Sequence, residues 1–289
     1  MQAYLDLLDR VLKNGKRHEN RTGVISYRVL GGVFEHDMTQ GFPILTTKEM
    51  RLPSIAGEMI GFIRGVTTVK EFNELGTKVW DAFAGEHSQW ASNPNYKDTN
   101  NLGRIYGAQW RNWRTADGQV IDQLADAVQG IIDDPDSRRL IVTAWNPGEL
   151  KQMALPPCHK DFQLVPDKES NTLSLVWTQR SCDMFLGIPY NIAGYGLLLY
   201  IIARATGYRP GSLVGLLSDM HLYENQLVAA KEQLTRTPSW DRPRLYIKDS
   251  TTAKVNYVHP MDFINTVDPS NFELFNYYPQ GPLRVPVVL

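Results

Sequence analysis

Residues 162–206 read FQLVPDKESNTLSLVWTQRSCDMFLGIPYNIAGYGLLLYIIARAT. Two short runs of apolar and β-branched residues, 162–165 and 173–177, flank the polar tract 166–171. That pattern predicts two strands joined by a turn. Residues 191–206 are apolar nearly all round, the mark of a helix buried in a core rather than lying on its surface. Just upstream, residues 139–145 read as a buried strand, preceded by an amphipathic helix over 121–132 that Asp133, Asp134 and Pro135 end. Downstream, residues 212–223 mix strand formers with polar side chains, and 225–234 return to a helical period. Near the start, Tyr4, Leu5, Leu8, Val11 and Leu12 recur at helical spacing with Gly15 as the stop. Residues 24–34 form one or two strands. Ser54 caps a helix running to about Gly65, with Ile55, Met59, Ile60 and Phe62 as its apolar face. Strands and helices follow one another without strict alternation, which predicts an α+β fold with one main sheet.

The 289 residues carry 30 basic and 31 acidic side chains, 43% hydrophobic and 21% charged residues overall. A general nucleic-acid binder would show a basic surplus, so that class is set aside, while a local arginine cluster for a single anionic group is not. Two cysteines, Cys158 and Cys182, exclude a disulfide framework. The first residues are acidic and helical in pattern, without a basic region or an uninterrupted apolar core, so no signal peptide is expected. The longest apolar stretch, 197–203, is too short for a bilayer. These features predict a cytoplasmic protein. Residues 85–101 are rich in Ser, Asn, Asp and Pro and flanked by segments of shared composition. They read as a surface insertion in a single domain over 1–289, not as a linker.

Several clusters could carry chemistry. Cys158 follows Pro156-Pro157, which forces an extended, rigid backbone. Arginines near it in sequence would lower its pKa and raise its thiolate fraction, although a buried cysteine is more often inert packing. Gln179, Arg180, Ser181, Cys182 and Asp183 follow a predicted strand, a run suited to an anion or, equally, to a salt-bridged strand end. Arg138 and Arg139 open another strand and would point to opposite faces, alone no more than a solvated pair. Asp219, His221 and Tyr223 share one face of an extended segment. No third metal ligand accompanies them, so hydrogen bonds to a sugar hydroxyl are the stronger reading. Glu58 on an apolar helix is a partner for a buried polar group or an acid/base of raised pKa. Trp80 and the 106–110 run are core unless exposed.

In this order the runs Arg21-Thr-Gly23, Phe42-Pro-Ile-Leu-Thr-Thr-Lys48, Glu58, Trp80-Asp81, Tyr106-Gly107, Asp136-Ser-Arg-Arg139, Ala144-Trp-Asn146, Met153-Ala-Leu-Pro-Pro-Cys-His159, Gln179-Arg-Ser-Cys-Asp-Met-Phe-Leu-Gly187, Pro189-Tyr-Asn-Ile-Ala193, His221-Leu-Tyr223 and Pro286-Val-Val-Leu289 span nearly the whole chain. Together they resemble the thymidylate synthase family. The resemblance implies a homodimer of α+β domains, each with a large curved mixed sheet packed by helices, the sheet forming the interface. It implies conversion of dUMP and 5,10-methylenetetrahydrofolate to dTMP and dihydrofolate, with no metal. Cys158 would add to C6 of the uracil and make C5 a carbon nucleophile. Asn191 would read the O4 and N3 edge. Glu58, Tyr106 and His159 would assist proton transfers. Arg21, Arg180 and Ser181 would hold the phosphate with Arg138 and Arg139 of the partner subunit, and Gln179 belongs to the same nucleotide set. His221 and Tyr223 would bind the ribose 3′-hydroxyl. Asp183 would bond the pterin, with Trp80, Leu186, Gly187 and Tyr190 around the folate. Val288 and Leu289 would close over the complex.

The chain departs from the family pattern in places. Leu217-Ser-Asp-Met220 stands where many members have Gly-Gly-Asp-Thr, and Asn225-Gln226 where Asn-His is usual. Gly61 replaces a frequent tryptophan, and Glu49, with Arg51 nearby, replaces an arginine after Lys48. The 61–65 and 75–78 segments and the insertion are similar to a longer bacterial and phage subgroup. A dUMP hydroxymethylase of phage DNA modification would share the same nucleophile and folate, with water trapping the one-carbon unit. A dCMP enzyme would carry aspartate at Asn191. A catalytically silent RNA-binding relative is the third alternative, and no dedicated nucleic-acid or membrane partner is expected.

Overall fold

Helix α1 (Gln2–Asn14) buries Tyr4, Leu5, Leu7, Leu8 and Val11, as its apolar spacing requires, and stops at Gly15. The computed structural model describes residues 1–248 and 259–288. Strands β1 (Lys16–His18) and β2 (Ser26–Asp37) are followed by helices α2 (Leu52–Ile63), α3 (Val69–Glu74), α4 (Asp81–Ala84) and α5 (Tyr106–Arg111). A hairpin of β3 (Trp113–Arg114) and β4 (Val120–Ile121) leads into α6 (Gln123–Asp133). Next come β5 (Ile141–Thr143), β6 (His159–Asp167), β7 (Thr172–Asp183), the long helix α7 (Gly187–Thr206) and β8 (Arg209–Tyr223). The remainder holds α8 (Leu227–Thr235), β9 (Arg244–Ile247), α9 (Pro260–Thr266) and β10 (Phe272–Phe275), with β10 paired to β9.

The main sheet has the order β1-β2-β8-β7-β6-β5. β7 and β8 run parallel, which requires the crossover that α7 supplies, and the other neighbours are antiparallel. The expected α+β arrangement with one large mixed sheet packed by helices is borne out. Register aligns Phe34, Gly215, Trp177, Phe162 and Val142 across the sheet, and all five are buried. Trp177 stacks on Tyr195 of α7 at 5.3 Å, so this is the face the central helix covers. The other face leaves Val33, Leu216, Val165 and Ile141 exposed, with Leu30 also exposed on β2. Past Ser218 the pattern on β8 changes. Met220 and Leu222 enter the core, while Asp219, His221 and Tyr223 turn to a cleft.

Four expectations from sequence need correction. Ser54 lies inside α2 rather than capping it. The helix starts at Leu52 with Pro53 in its first turn, where a missing N–H costs nothing, and Ser54 Oγ bonds Thr77 Oγ1 at 3.0 Å. Residues 139–145 give only the three-residue β5, the sheet's outermost strand, and Ile141 is 48% exposed because it points to the open face while Val142 points to the covered one. Residues 179–183 lie within β7, not after it, since pairing with β8 continues as far as Asp183 and His221. The central helix begins at Gly187, four residues before its uniformly apolar part. At Gly61 the structure explains a departure: a Cβ there would meet the Phe72 ring at 2.2 Å, so Phe72 fills the room a larger residue would need. Among the described residues no helix is long and apolar enough to cross a membrane.

Gly215 is where the sheet demands a missing side chain, because a Cβ would lie 2.4 Å from the Trp177 ring. Gly215→Ala should therefore destabilise the fold by about 1–3 kcal/mol, read as a lowered thermal midpoint. An unchanged midpoint would refute the packing described.

Candidate functional site

The segment before Cys158 is fixed by main-chain pairing. Ala154 N donates to Leu102 O at 2.9 Å and Arg104 N to Gln152 O at 2.8 Å. The two prolines then run without free N–H groups, and their carbonyls are taken by one side chain from β7. Arg180 donates from Nε to Pro157 O and from Nη2 to Pro156 O, each at 2.9 Å, while its own N–H donates to Cys158 O at 2.8 Å. From the other side, Cys158 N donates to the Tyr106 hydroxyl at 2.7 Å. The backbone of Cys158 is thus pinned between β7 and α5.

Cys158, Arg180 and Ser181 line one cleft with Arg21, Arg28, Asp219, His221 and Tyr223, a space of about 540 Å³. That volume lies in the range of small-ligand pockets. Trp145 and Leu155 add apolar wall, and Arg180 lies over the Trp145 ring at 5.4 Å. Burial pushes the Cys158 thiol above the ordinary range; the Arg180 charge, hydrogen bonds from Ser181 and Tyr106, and Arg21 pull it down without prevailing. The arginines do lower this pKa, as expected, but desolvation of the thiolate is the larger effect and the net shift is upward. His221 bonds the Asp219 carbonyl through Nδ1 at 3.1 Å. Burial opposes its protonation, but Asp219 and Asp183 together raise its pKa. Arg28 pairs with Asp219 at 3.4 Å.

Behind the cleft lies a second layer. His159 stacks on Tyr106 at 4.3 Å and bonds the Tyr195 hydroxyl at 2.8 Å. Burial lowers its pKa to about 3, so it is neutral. Gln179 accepts from Trp177 Nε1 at 3.2 Å and donates to Asn191 Oδ1 at 3.0 Å. This orients Asn191, whose oxygen keeps a second lone pair and whose amide keeps both hydrogens to offer. Glu58 on α2 has its pKa raised by burial to about 7, opposed by the Trp80 indole. That indole nitrogen is buried without a hydrogen-bond partner of good geometry. Asp183 accepts from the N–H groups of Phe185 and Leu186 at 3.0 and 2.9 Å, at the head of α7 where Leu186, Gly187 and Tyr190 stand.

Other candidates lie elsewhere. Trp80 is 3% exposed, packed among Phe62, Phe72, Phe83 and Tyr106. Arg138 and Arg139 are exposed and outside the Cys158 cleft, with Arg139 beside a shallow depression next to Ile141. Val288 lies in the extended C-terminal segment, which Asn225 holds through the Pro286 carbonyl at 3.3 Å. Leu289 is outside the described residues. Among the described residues no three His, Cys, Asp or Glu side chains converge as a metal site. Arg28 and Gln89 escaped the sequence reading. Arg28 carried a signal, since it alternates with Ser26 on β2. Gln89 came from a tract with no pattern to read.

The family model described as thymidylate synthase matches residues 2–289. The thymidylate synthase of Pseudomonas syringae pv. tomato (strain DC3000) is 37% identical over an alignment of 325 positions that covers the whole of both chains.

The Glu58 carboxyl makes a pH prediction. In the folded protein it keeps its proton to about pH 7, whereas the unfolded chain releases it near the ordinary value of 4.5. Stability contributed by this group therefore falls as pH rises from 4.5 through 7. Glu58→Gln should be more stable than the parent at pH 8, by up to about 3 kcal/mol in denaturant unfolding, with the gain vanishing by pH 4. A gain independent of pH would contradict the raised pKa.

Proposed function

The chain belongs to the thymidylate synthase family, and from that premise we propose that it converts dUMP and 5,10-methylenetetrahydrofolate to dTMP and dihydrofolate. The observation that carries this reading is the company of Cys158. The thiol shares one cleft with Arg21, Arg180 and Ser181 for a phosphate, and with His221 and Tyr223 for a ribose. Asn191, oriented by Gln179, is the reader of the base.

The Cys158 thiol gives its proton to solvent in the cleft, Sγ bonds to C6 of the uracil, and the C5–C6 electron pair moves toward C5 and O4. Arg180, Ser181 and Tyr106 favour the thiolate that burial otherwise opposes. The Asn191 amide hydrogens meet the charge growing on O4, and its free lone pair takes the N3 hydrogen, a match that cytosine lacks. The folate supplies the one-carbon unit and the hydride. Glu58, with a pKa of about 7, takes and returns protons near neutrality. His159, held neutral, supports Tyr106 through stacking and the hydrogen bond to Tyr195. Asp183 meets the pterin, with Leu186, Gly187, Tyr190 and Val288 around the folate, while Trp80 stays packed behind Tyr106 and shapes that end of the site from within the core.

Arg138 and Arg139 serve the site of a second subunit in a homodimer. Support comes from their exposure away from their own cleft and from the exposed apolar row Val33, Leu216, Val165 and Ile141 on the open face of the sheet. The whole chain acts as one cytoplasmic catalytic domain. Residues 85–101 form an insertion tied down by buried Trp90, whose Nε1 donates to Asn101 O at 2.8 Å, and by Asn95 bonded to Lys151 O at 3.1 Å.

Purified protein given dUMP and 5,10-methylenetetrahydrofolate should form dTMP by mass with an equal amount of dihydrofolate by absorbance. A 5-hydroxymethyl product without dihydrofolate would overturn the reading. Cys158→Ser should lower kcat by about a thousandfold or more. Mixing Cys158→Ser protein with an Arg138→Ala/Arg139→Ala double variant should restore about a quarter of parental activity, because mixed dimers own one intact site. No recovery would place the arginines in their own subunit's site.

A further inference from the structure

We propose that Gln226 is a positioning residue whose buried amide sets the Asp183 carboxylate and the Tyr223 backbone relative to each other, coupling the folate end of the site to the nucleotide end. The proposal rests on the roles given above to Asp183 and Tyr223. Gln226 ends the short helical turn Glu224–Gln226 that follows β8, and it is fully buried. Its Oε1 accepts from Tyr223 N at 3.0 Å, and its Nε2 donates to Asp183 Oδ2 at 2.9 Å. The order is dictated by chemistry: a backbone N–H only donates, an ionised carboxylate only accepts, and a neutral amide offers one group of each kind at opposite ends.

The turn after Asp183 is held from several sides. Met184 O accepts from the Tyr4 hydroxyl of α1 at 2.8 Å, and Met184 N donates to His221 O at 2.9 Å. Phe185 O accepts from Lys48. The first carboxylate oxygen of Asp183 is used within the turn by Phe185 and Leu186. Gln226 alone among these side chains reaches the second oxygen. Because a carboxamide does not titrate, that bond persists at any pH where Asp183 is ionised. The position is one of the chain's departures from the family pattern, so the coupling here runs through a group with no charge of its own.

The decisive variant is Gln226→Glu, which keeps the shape and the acceptor for Tyr223 N but replaces the donor facing Asp183 with a second carboxyl. At pH 8 both carboxyls repel, and the KM for 5,10-methylenetetrahydrofolate should rise about tenfold, the worth of one bond to a charged group. Lowering the pH until one carboxyl of the pair is protonated restores a donor, and that KM should fall back toward the parent's. The KM for dUMP should stay within about threefold, since a change below 1 kcal/mol is expected there. Lys48, His221, Tyr4 and Tyr223 also face Asp183 electrostatically, and the parent measured over the same pH range carries their contributions. Gln226→Leu, lacking donor and acceptor, should raise both KM values at every pH. A folate KM in Gln226→Glu that matches the parent at pH 8, or a loss confined to kcat in either variant, would overturn the proposal. A parent that does not methylate dUMP would instead defeat the functional reading beneath it.

Discussion

The Arg180 guanidinium is the interaction on which the site depends. It lies on β7, in the middle of the sheet, and reaches across to the carbonyls of Pro156 and Pro157. Bonds from a charged donor contribute about 1.5–3 kcal/mol each, so this single side chain holds an otherwise unpaired stretch of backbone to the most rigid element of the fold. The same charge faces the Cys158 thiol, so the position of that side chain and the ease of ionising it are both set by one residue.

Burial sets the counterweight. It raises Cys158 and Glu58 and lowers His159 to about 3, so the resting site holds fewer charges than its composition suggests. Burial thus favours the protonated thiol at Cys158. Glu58 is left where a proton moves either way near neutrality.

Much of this was legible in the sequence. The polar tract 166–171 announced the turn between β6 and β7, whose strands in fact run on to Asp167 and from Thr172, the apolar run announced α7, and Pro156-Pro157 announced an extended approach to the thiol. The extent of β7 was not legible, because residues 179–183 are polar, and only their pairing with β8 makes them a strand. The edge position of β5 is a property of the sheet order and left no local trace. The direction of the Cys158 shift was misjudged for a related reason: arginines can be counted along a chain, whereas the depth at which they meet a thiol is decided by packing. Gln226 stood out in sequence only as a departure from the family pattern, because its two partners, Asp183 and Tyr223, come together only when β7 and β8 lie side by side.

The balance between Arg180 and burial is open to direct measurement. The rate of iodoacetamide alkylation at Cys158, followed by peptide mass in the unliganded protein across pH, reports the thiol's own titration. The account predicts a midpoint above the ordinary value of 9.0. A midpoint near neutrality, about pH 7, would show that the arginine field outweighs burial and would contradict it.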